Sequence, residues 1–107
     1  MNLLKMYYQE KYGVKLLESN DGFIMYNTYP DNSVYIRHLY VKPERRGEGE
    51  GKRLEDRLIE KEKPKVIYCD IDLTANKAEE ALAQILYRAK YKIESVSPQQ
   101  IILRKEL

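Results

Sequence analysis

The chain has 107 residues, 43% hydrophobic and 34% charged, and its 19 basic and 17 acidic side chains leave a net charge of +2. That length supports one core, and the mixture is that of a folded globular protein rather than a disordered or fibrous one. Basic and acidic residues are interspersed, as where Arg45 and Arg46 have Glu44 and Glu48 beside them, so the uncompensated basic patch of a dedicated nucleic-acid binder is missing. One domain over residues 1–107 with one site is expected.

The single cysteine, Cys69, excludes an internal disulfide and fits a reducing compartment. The opening MNLLKMYYQEKYG carries no long apolar core of a leader, and nothing approaches the roughly 20 apolar residues that span a bilayer. A cytoplasmic protein without membrane or nucleic-acid partners is therefore expected. The ten tyrosines could serve as stacking platforms, but most alternate with aliphatics in strand-like runs, which favours core or sheet-surface positions.

In chain order, Asn2 to Tyr12 places Leu3, Leu4, Tyr7, Tyr8 and Lys11 near helical spacing, with Gly13 as a stop. VKLLES (14–19) and GFIMYNTY (22–29) read as strands of a hairpin, joined by Asn20-Asp21-Gly22, residues that tolerate positive φ. After Pro30-Asp31-Asn32, VYIRHLYV (34–41) is a strand that Pro43 ends. From about Gly49 to Glu62 come helix formers with Leu54, Leu58 and Ile59 on one side, halted before Pro64.

KVIYCDIDL (65–73) is the most strand-like run, and the helix before it implies a parallel crossover from the preceding strand. Ala78, Ala81, Leu82, Ile85, Leu86 and Ala89 make the stripe of a third helix, with Asn76 and Glu79 as a capping pair. YKIESV (91–96) and QIILRKE (100–106) close the chain as a second hairpin across Ser97-Pro98-Gln99. This order predicts an α+β fold with one mixed sheet rather than a doubly wound one.

The segment VKPERRGEGEGKRLEDRL (41–58) concentrates three glycines between a strand and a helix. Glycine weakens a helix start, so its use there implies unusual dihedrals or a ligand close to the backbone. A strand that runs through glycines into a helix amino terminus offers unpaired N–H groups and a favourable dipole to a phosphate. Two nucleotide motifs fail on spacing. Gly47 lies only four residues before Gly51, and Arg53 stands where a P-loop needs its hydroxyl. The dinucleotide fingerprint needs a longer final gap than Gly47, Gly49 and Gly51 provide.

LYVKPERRGEGEGKRL (39–54) resembles the acetyl-CoA-binding segment of the GNAT superfamily of N-acetyltransferases, a strand L-x-V-x-P followed by [RQ]-x-x-G-x-[GA] and a helix. Arg46, Gly49 and Gly51 occupy the motif's fixed positions, and the order of elements matches over roughly nine tenths of the chain. The resemblance implies a GNAT-like, mostly antiparallel sheet of about six strands with a parallel splayed pair, flanked by about three helices. The family usually begins with an extra strand and two helices, where this chain has about a dozen residues and one helix.

Carried over, the resemblance implies acetyl-CoA as cofactor, its pyrophosphate on the backbone of Arg46, Gly47, Glu48, Gly49, Glu50, Gly51 and Lys52. The pantetheine arm would pair with main-chain groups near Leu39 and Val41 like an added strand. Glu48 and Glu50 depart from the usual pattern, with Arg45, Arg46, Lys52 and Arg53 as compensating charges. Asn76 is the further cofactor-binding candidate, and Tyr87 the candidate proton donor to the departing thiolate. A helix-capping Asn and a packed Tyr are the alternative readings of this pair. Their spacing is about one helical turn longer than usual, and Lys90-Tyr91 replaces the usual Gly-Phe.

The family's frequent general base, a Glu six residues before the motif valine, is here Tyr35. His38 is a candidate base by its ordinary pKa near 6.5, and alternation puts it with Ile36 and Tyr40, opposite Tyr35 and Arg37. Asp70 and Asp72 are candidates acting through water, whereas Cys69 reads as a buried strand cysteine rather than a nucleophile. The expected activity is acetyl transfer to a primary amine, of a small molecule or a peptide, by direct attack in a ternary complex. The second reading is a module that holds acyl-CoA without turnover or meets a protein partner, and a homodimer completing the acceptor pocket is a variant.

Overall fold

The structure, a computed structural model, describes residues 3–78, 80 and 90–107. Helix α1 (Leu3–Tyr12) ends at Gly13, whose N–H closes on the Gln9 carbonyl at 3.1 Å and whose φ of 64° is the left-handed conformation of a helix stop. Strands β1 (Lys15–Glu18), β2 (Gly22–Thr28) and β3 (Ser33–Val41) follow as an antiparallel meander. A short 3₁₀ turn (Pro43–Arg45) leads to helix α2 (Glu50–Glu62), which Lys63 ends at φ 49° just before Pro64. Strand β4 (Val66–Asp72) is next, and β5 (Lys92–Val96) with β6 (Gln100–Glu106) closes the chain as a hairpin.

The six strands form one sheet in the order β1-β2-β3-β4-β6-β5, with β3 and β4 its parallel pair. The helix expected between Ala78 and Ala89 falls mostly outside the described residues, which contain two α-helices against the three expected. The first hairpin also differs from expectation. None of Asn20, Asp21 and Gly22 has positive φ. Instead the Ser19 hydroxyl accepts the N–H groups of Asp21 and Gly22 at 3.3 and 3.1 Å, a serine turn that supplies the reversal without a left-handed residue. Gly22 is needed for another reason, because a Cβ there would overlap the Tyr40 carbonyl oxygen on β3.

One face of the sheet carries the core. Paired residues share a face, so Leu17, Ile24, Tyr26, Ile36, Cys69 and Leu103 line one side together, and Leu54 and Leu58 of α2 pack on them four residues apart. Tyr26 is fully buried, yet its hydroxyl reaches the end of α2 and donates to Glu62 at 2.6 Å. Lys15 Nζ lies 3.4 Å from the same carboxylate. Burial raises the Glu62 pKa, but the Tyr26 hydroxyl and the Lys15 charge outweigh it and hold the carboxyl below its ordinary value.

Candidate active site at the splayed strands

The parallel pair separates partway along. β3 and β4 are in register at Ser33↔Val66, Val34↔Ile67, Tyr35↔Tyr68 and Ile36↔Cys69, and no further. Beyond that point β3 continues to Val41 on β2, and β4 continues to Asp72 on β6. A bulge marks the place. Tyr26 pairs with Ile36 but its neighbour Met25 pairs with His38, so Arg37 is an extra residue in β3. A bulge bends and twists its strand, and this one sits where β3 leaves β4.

The bulge also reverses the facing of the rest of β3. His38 pairs with Met25, and Leu39 with the fully buried Ile24. Leu39 therefore shares the core side with Ile36, and His38 lies on the opposite, open side with Tyr40. The expectation from simple alternation, His38 beside Ile36, is corrected by this inserted residue.

In the antiparallel ladder with β2, Lys42 N donates to Asp21 O at 2.8 Å, so bonded and non-bonded pairs alternate from there. Tyr40 bonds to β2, and the main-chain groups of Leu39 and Val41 point away from it, toward the opening between the strands. Arg46 occupies one of them, its Nε donating to the Val41 carbonyl at 2.8 Å while its guanidinium carbon lies 5.5 Å from the Tyr40 ring centroid.

The loop past β3 brings the motif residues together. Gly47 and Gly49 have φ of 83° and 86°, left-handed values that an L side chain strains to adopt. A Cβ at Gly47 would meet nothing within 4 Å, so open space lies over it and dihedral need explains the glycine. Gly49 is the N-cap of α2, and among the described residues no side chain caps that helix start. The first backbone bond into the helix is Arg53 N to Gly49 O at 3.0 Å, and the N–H groups from Gly47 to Lys52 find no backbone acceptor among the described residues. Gly51 differs, because its missing Cβ would lie in ordinary contact with Leu39, 3.6 Å from Cδ2.

The charges around this loop are mostly matched. Glu48 lies 3.8 Å from Arg45, Glu50 lies 3.4 Å from Arg53, and Lys52 is 3.0 Å from Asp56. Arg45 and Lys42 also approach Asp21, at 3.7 and 3.2 Å. Of the loop's cations only Arg46 lacks a carboxylate partner among the described residues. Uncapped N–H groups, open space over Gly47 and an unneutralised Arg46 fit a pyrophosphate.

The open face beyond the bulge holds the acid–base groups. Tyr35 stacks on Tyr68 with ring centroids 6.3 Å apart. Its phenol is pushed up to about 12, chiefly by burial, then by the Asp70 charge, against the opposing Arg37 charge. The phenol therefore stays protonated at neutral pH. Asp72 is engaged otherwise: its Oδ1 accepts Thr74 N and Oγ1 at 2.9 and 2.6 Å, which holds its carboxyl low in the turn after β4. Burial, reinforced by the charges of Asp70 and Glu55, pushes the Cys69 thiol up to about 12, leaving no thiolate for nucleophilic attack.

Of the residues singled out in the sequence, Leu39, Val41, Arg46, Gly47, Glu48, Gly49, Glu50, Gly51 and Lys52 are contiguous around the strand end and the start of α2. Asn76 is exposed in the turn after β4, and His38 is exposed on the open face. Tyr87 lies outside the described residues. Arg37 was not singled out, and the sequence carries no signal for its place, which depends on the bulge.

The same fold recurs in known proteins. A GNAT-family protein from Desulfovibrio desulfuricans superposes with a TM-score of 0.69 at 17% identity, over 84% of this chain and 65% of that one. The PaiA N-acetyltransferase of Thermoplasma acidophilum, solved in complex with coenzyme A, gives 0.68 at 18% identity, over 98% and 69%. Ard1 from Thermoplasma volcanium gives 0.68 at 14%, over 95% and 76%. The chain thus spans about two thirds of the Desulfovibrio protein's length. No curated protein matches it significantly. These structures establish the fold, and the sequence pattern of the Acetyltransferase (GNAT) family matches residues 8–86, so the chain belongs to that family.

Proposed function

We propose that the protein is an acetyl-CoA-dependent N-acetyltransferase acting on a primary amine by direct attack within a ternary complex. The observation that carries this reading is the separation of β3 from β4 after Ile36↔Cys69, which turns the Leu39 and Val41 backbone into the opening and leads to the uncapped start of α2. Acetyl-CoA supplies a thioester carbon open to nucleophilic attack and a thiolate as leaving group. The N–H groups from Gly47 to Lys52 and the Arg46 guanidinium hold the pyrophosphate, and the Leu39 backbone aligns the arm in the manner of an added strand.

The amine enters from the open face. Asp70, the first β4 residue past the paired segment, takes the amine's proton directly or through water, on the face it shares with Tyr35. His38, on the same face, is the second candidate base. Tyr87 is the proposed phenolic donor, and Asn76 a further contact near the β4 end.

Calorimetric titration of acetyl-CoA, desulfo-CoA and ATP into the full chain tests the reading. The CoA compounds should bind saturably and ATP should not, and Gly49→Leu should abolish binding while the circular dichroism spectrum is kept. Equal affinity of Gly49→Leu and wild type would remove the proposed site. Binding without thiol release on any amine would favour a non-catalytic acyl-CoA module.

A further inference from the structure

Arg37 and Asp70 are the first residues of β3 and β4 beyond their last registered pair. They bring opposite charges to the mouth of the opening without pairing with each other, since no ion pair joins them. Tyr35 stands between. Asp70 lies two residues past Tyr68, the β4 partner of Tyr35, on the same face, and the Arg37 guanidinium carbon lies 4.1 Å from the Tyr35 ring centroid. The stack on Tyr68 fixes that ring, so it separates the two charges as a rigid spacer.

Arg37 is itself held in place by neutral partners. Its Nε donates to Asn27 Oδ1 at 2.7 Å, and its Nη2 to the Tyr29 hydroxyl at 2.9 Å. Among the described residues three of the five guanidinium N–H groups have no acceptor and no carboxylate pairs with the charge, as suits a carboxylate ligand. Beside it runs a groove of about 400 Å³ lined by Tyr12, Val14, Met25, Asn27, Arg37 and His38, with no carboxylate among them. Val14 and Met25 continue into a smaller, mostly apolar hollow with Leu4, Leu16 and Phe23, which Lys5 and Glu18 also line. The volume lies in the range of small-ligand clefts.

We infer that this mouth selects a zwitterionic acceptor, a free amino acid with an apolar side chain, holding its ammonium at Asp70 and its carboxylate at Arg37 while the side chain lies along Val14 and Met25. The inference rests on the acetyltransferase reading and deepens it by naming the acceptor class. Placing opposite charges on either side of a rigid ring rejects amines that lack the second charge, because Arg37 would then lose its hydration without gaining a partner.

The test is an NMR titration of the full chain with three ligands of matched shape: L-phenylalanine, 2-phenylethylamine and 3-phenylpropanoate. Phenylalanine should bind at least tenfold more tightly than either analogue. Arg37→Gln should erase its advantage over 2-phenylethylamine, and Asp70→Asn its advantage over 3-phenylpropanoate, while Arg37→Lys keeps part of the first. Equal binding of 2-phenylethylamine and phenylalanine by the unaltered chain, or no binding of phenylalanine, overturns the inference irrespective of how the variants fold. Calorimetry with acetyl-CoA on the same sample separates the two proposals. Cofactor binding without a preference for the zwitterion sinks only this one, and zwitterion binding without cofactor binding sinks only the acetyltransferase reading.

Discussion

Replacing each of the three motif glycines by alanine separates the dihedral role of two of them from the packing role of the third. At Gly47 and Gly49, with φ of 83° and 86°, alanine fits the space available, since the nearest atom is Arg53 Nη1, 3.6 Å from the Gly49 Cβ position. The cost is therefore conformational. A left-handed L residue costs about 1–2 kcal/mol, and the stiffer unfolded chain returns about 0.4–1 kcal/mol, leaving a net loss of about 0.5–1 kcal/mol at each position. Gly51 is helical, and alanine there only touches Leu39 at 3.6 Å, so Gly51→Ala should gain about 0.5–1 kcal/mol. The predicted span of about 1–2 kcal/mol amounts to roughly 0.5–1 M in a urea midpoint at a slope near 2 kcal/mol/M. Acetyl-CoA affinity should drop at least tenfold in Gly49→Ala, where the cradle's amides are redirected, and hold in Gly51→Ala, where the methyl group faces Leu39. Stability shifts of the same sign in all three variants, or a binding loss confined to Gly51→Ala, would refute the reasoning.

Other consequences are testable by the same methods. Gly22→Ala should cost about 2–3 kcal/mol, because its Cβ meets backbone at the Tyr40 carbonyl rather than a movable side chain; a wild-type urea midpoint would contradict the close approach of β2 to β3. Glu62 has a folded pKa below its ordinary 4.5, so its contribution is complete above that unfolded value and is lost as pH falls through the lower folded one. Urea midpoints measured from pH 7 down to pH 3 should accordingly fall less steeply for Glu62→Gln than for wild type, and parallel curves would show that the contacts with Tyr26 and Lys15 do not discriminate the charged form. Arg46→Met removes the one loop cation without a carboxylate partner among the described residues and releases the Val41 carbonyl. Acetyl-CoA affinity should weaken about tenfold, ~1.4 kcal/mol, with thermal stability little changed, and unaltered calorimetric affinity would remove Arg46 from the site.

Much of this architecture was legible in the residues because local rules dictate it. Gly13 and Pro64 bound the two described helices, Leu54 and Leu58 give α2 its buried stripe, and the β-branched and aromatic runs supply all six strands to within a residue or two. The parallel crossover between β3 and β4 followed from the helix between them. The glycine segment was likewise readable, since only glycine adopts the φ of positions 47 and 49 without strain.

The features that strand pairing decides were out of reach. Alternation placed His38 with Ile36, and one inserted residue, Arg37, put it on the opposite face. A bulge is a property of two strands in register, so no single-strand pattern announces it. The same insertion marks where β3 and β4 separate and brings Arg37 and Asp70 to the start of the opening, although they lie 33 positions apart in the chain. Asp70 and Asp72 look equivalent in sequence, but Thr74 engages the Asp72 carboxylate, whereas Asp70 follows the last residue of β4 paired with β3. The sequence by itself determined the elements, the core stripe and the glycine loop, because those depend on each residue's own conformational and solvation preferences. Which side chains meet at the mouth of the strands was decided by tertiary structure alone, because strand register sets those distances.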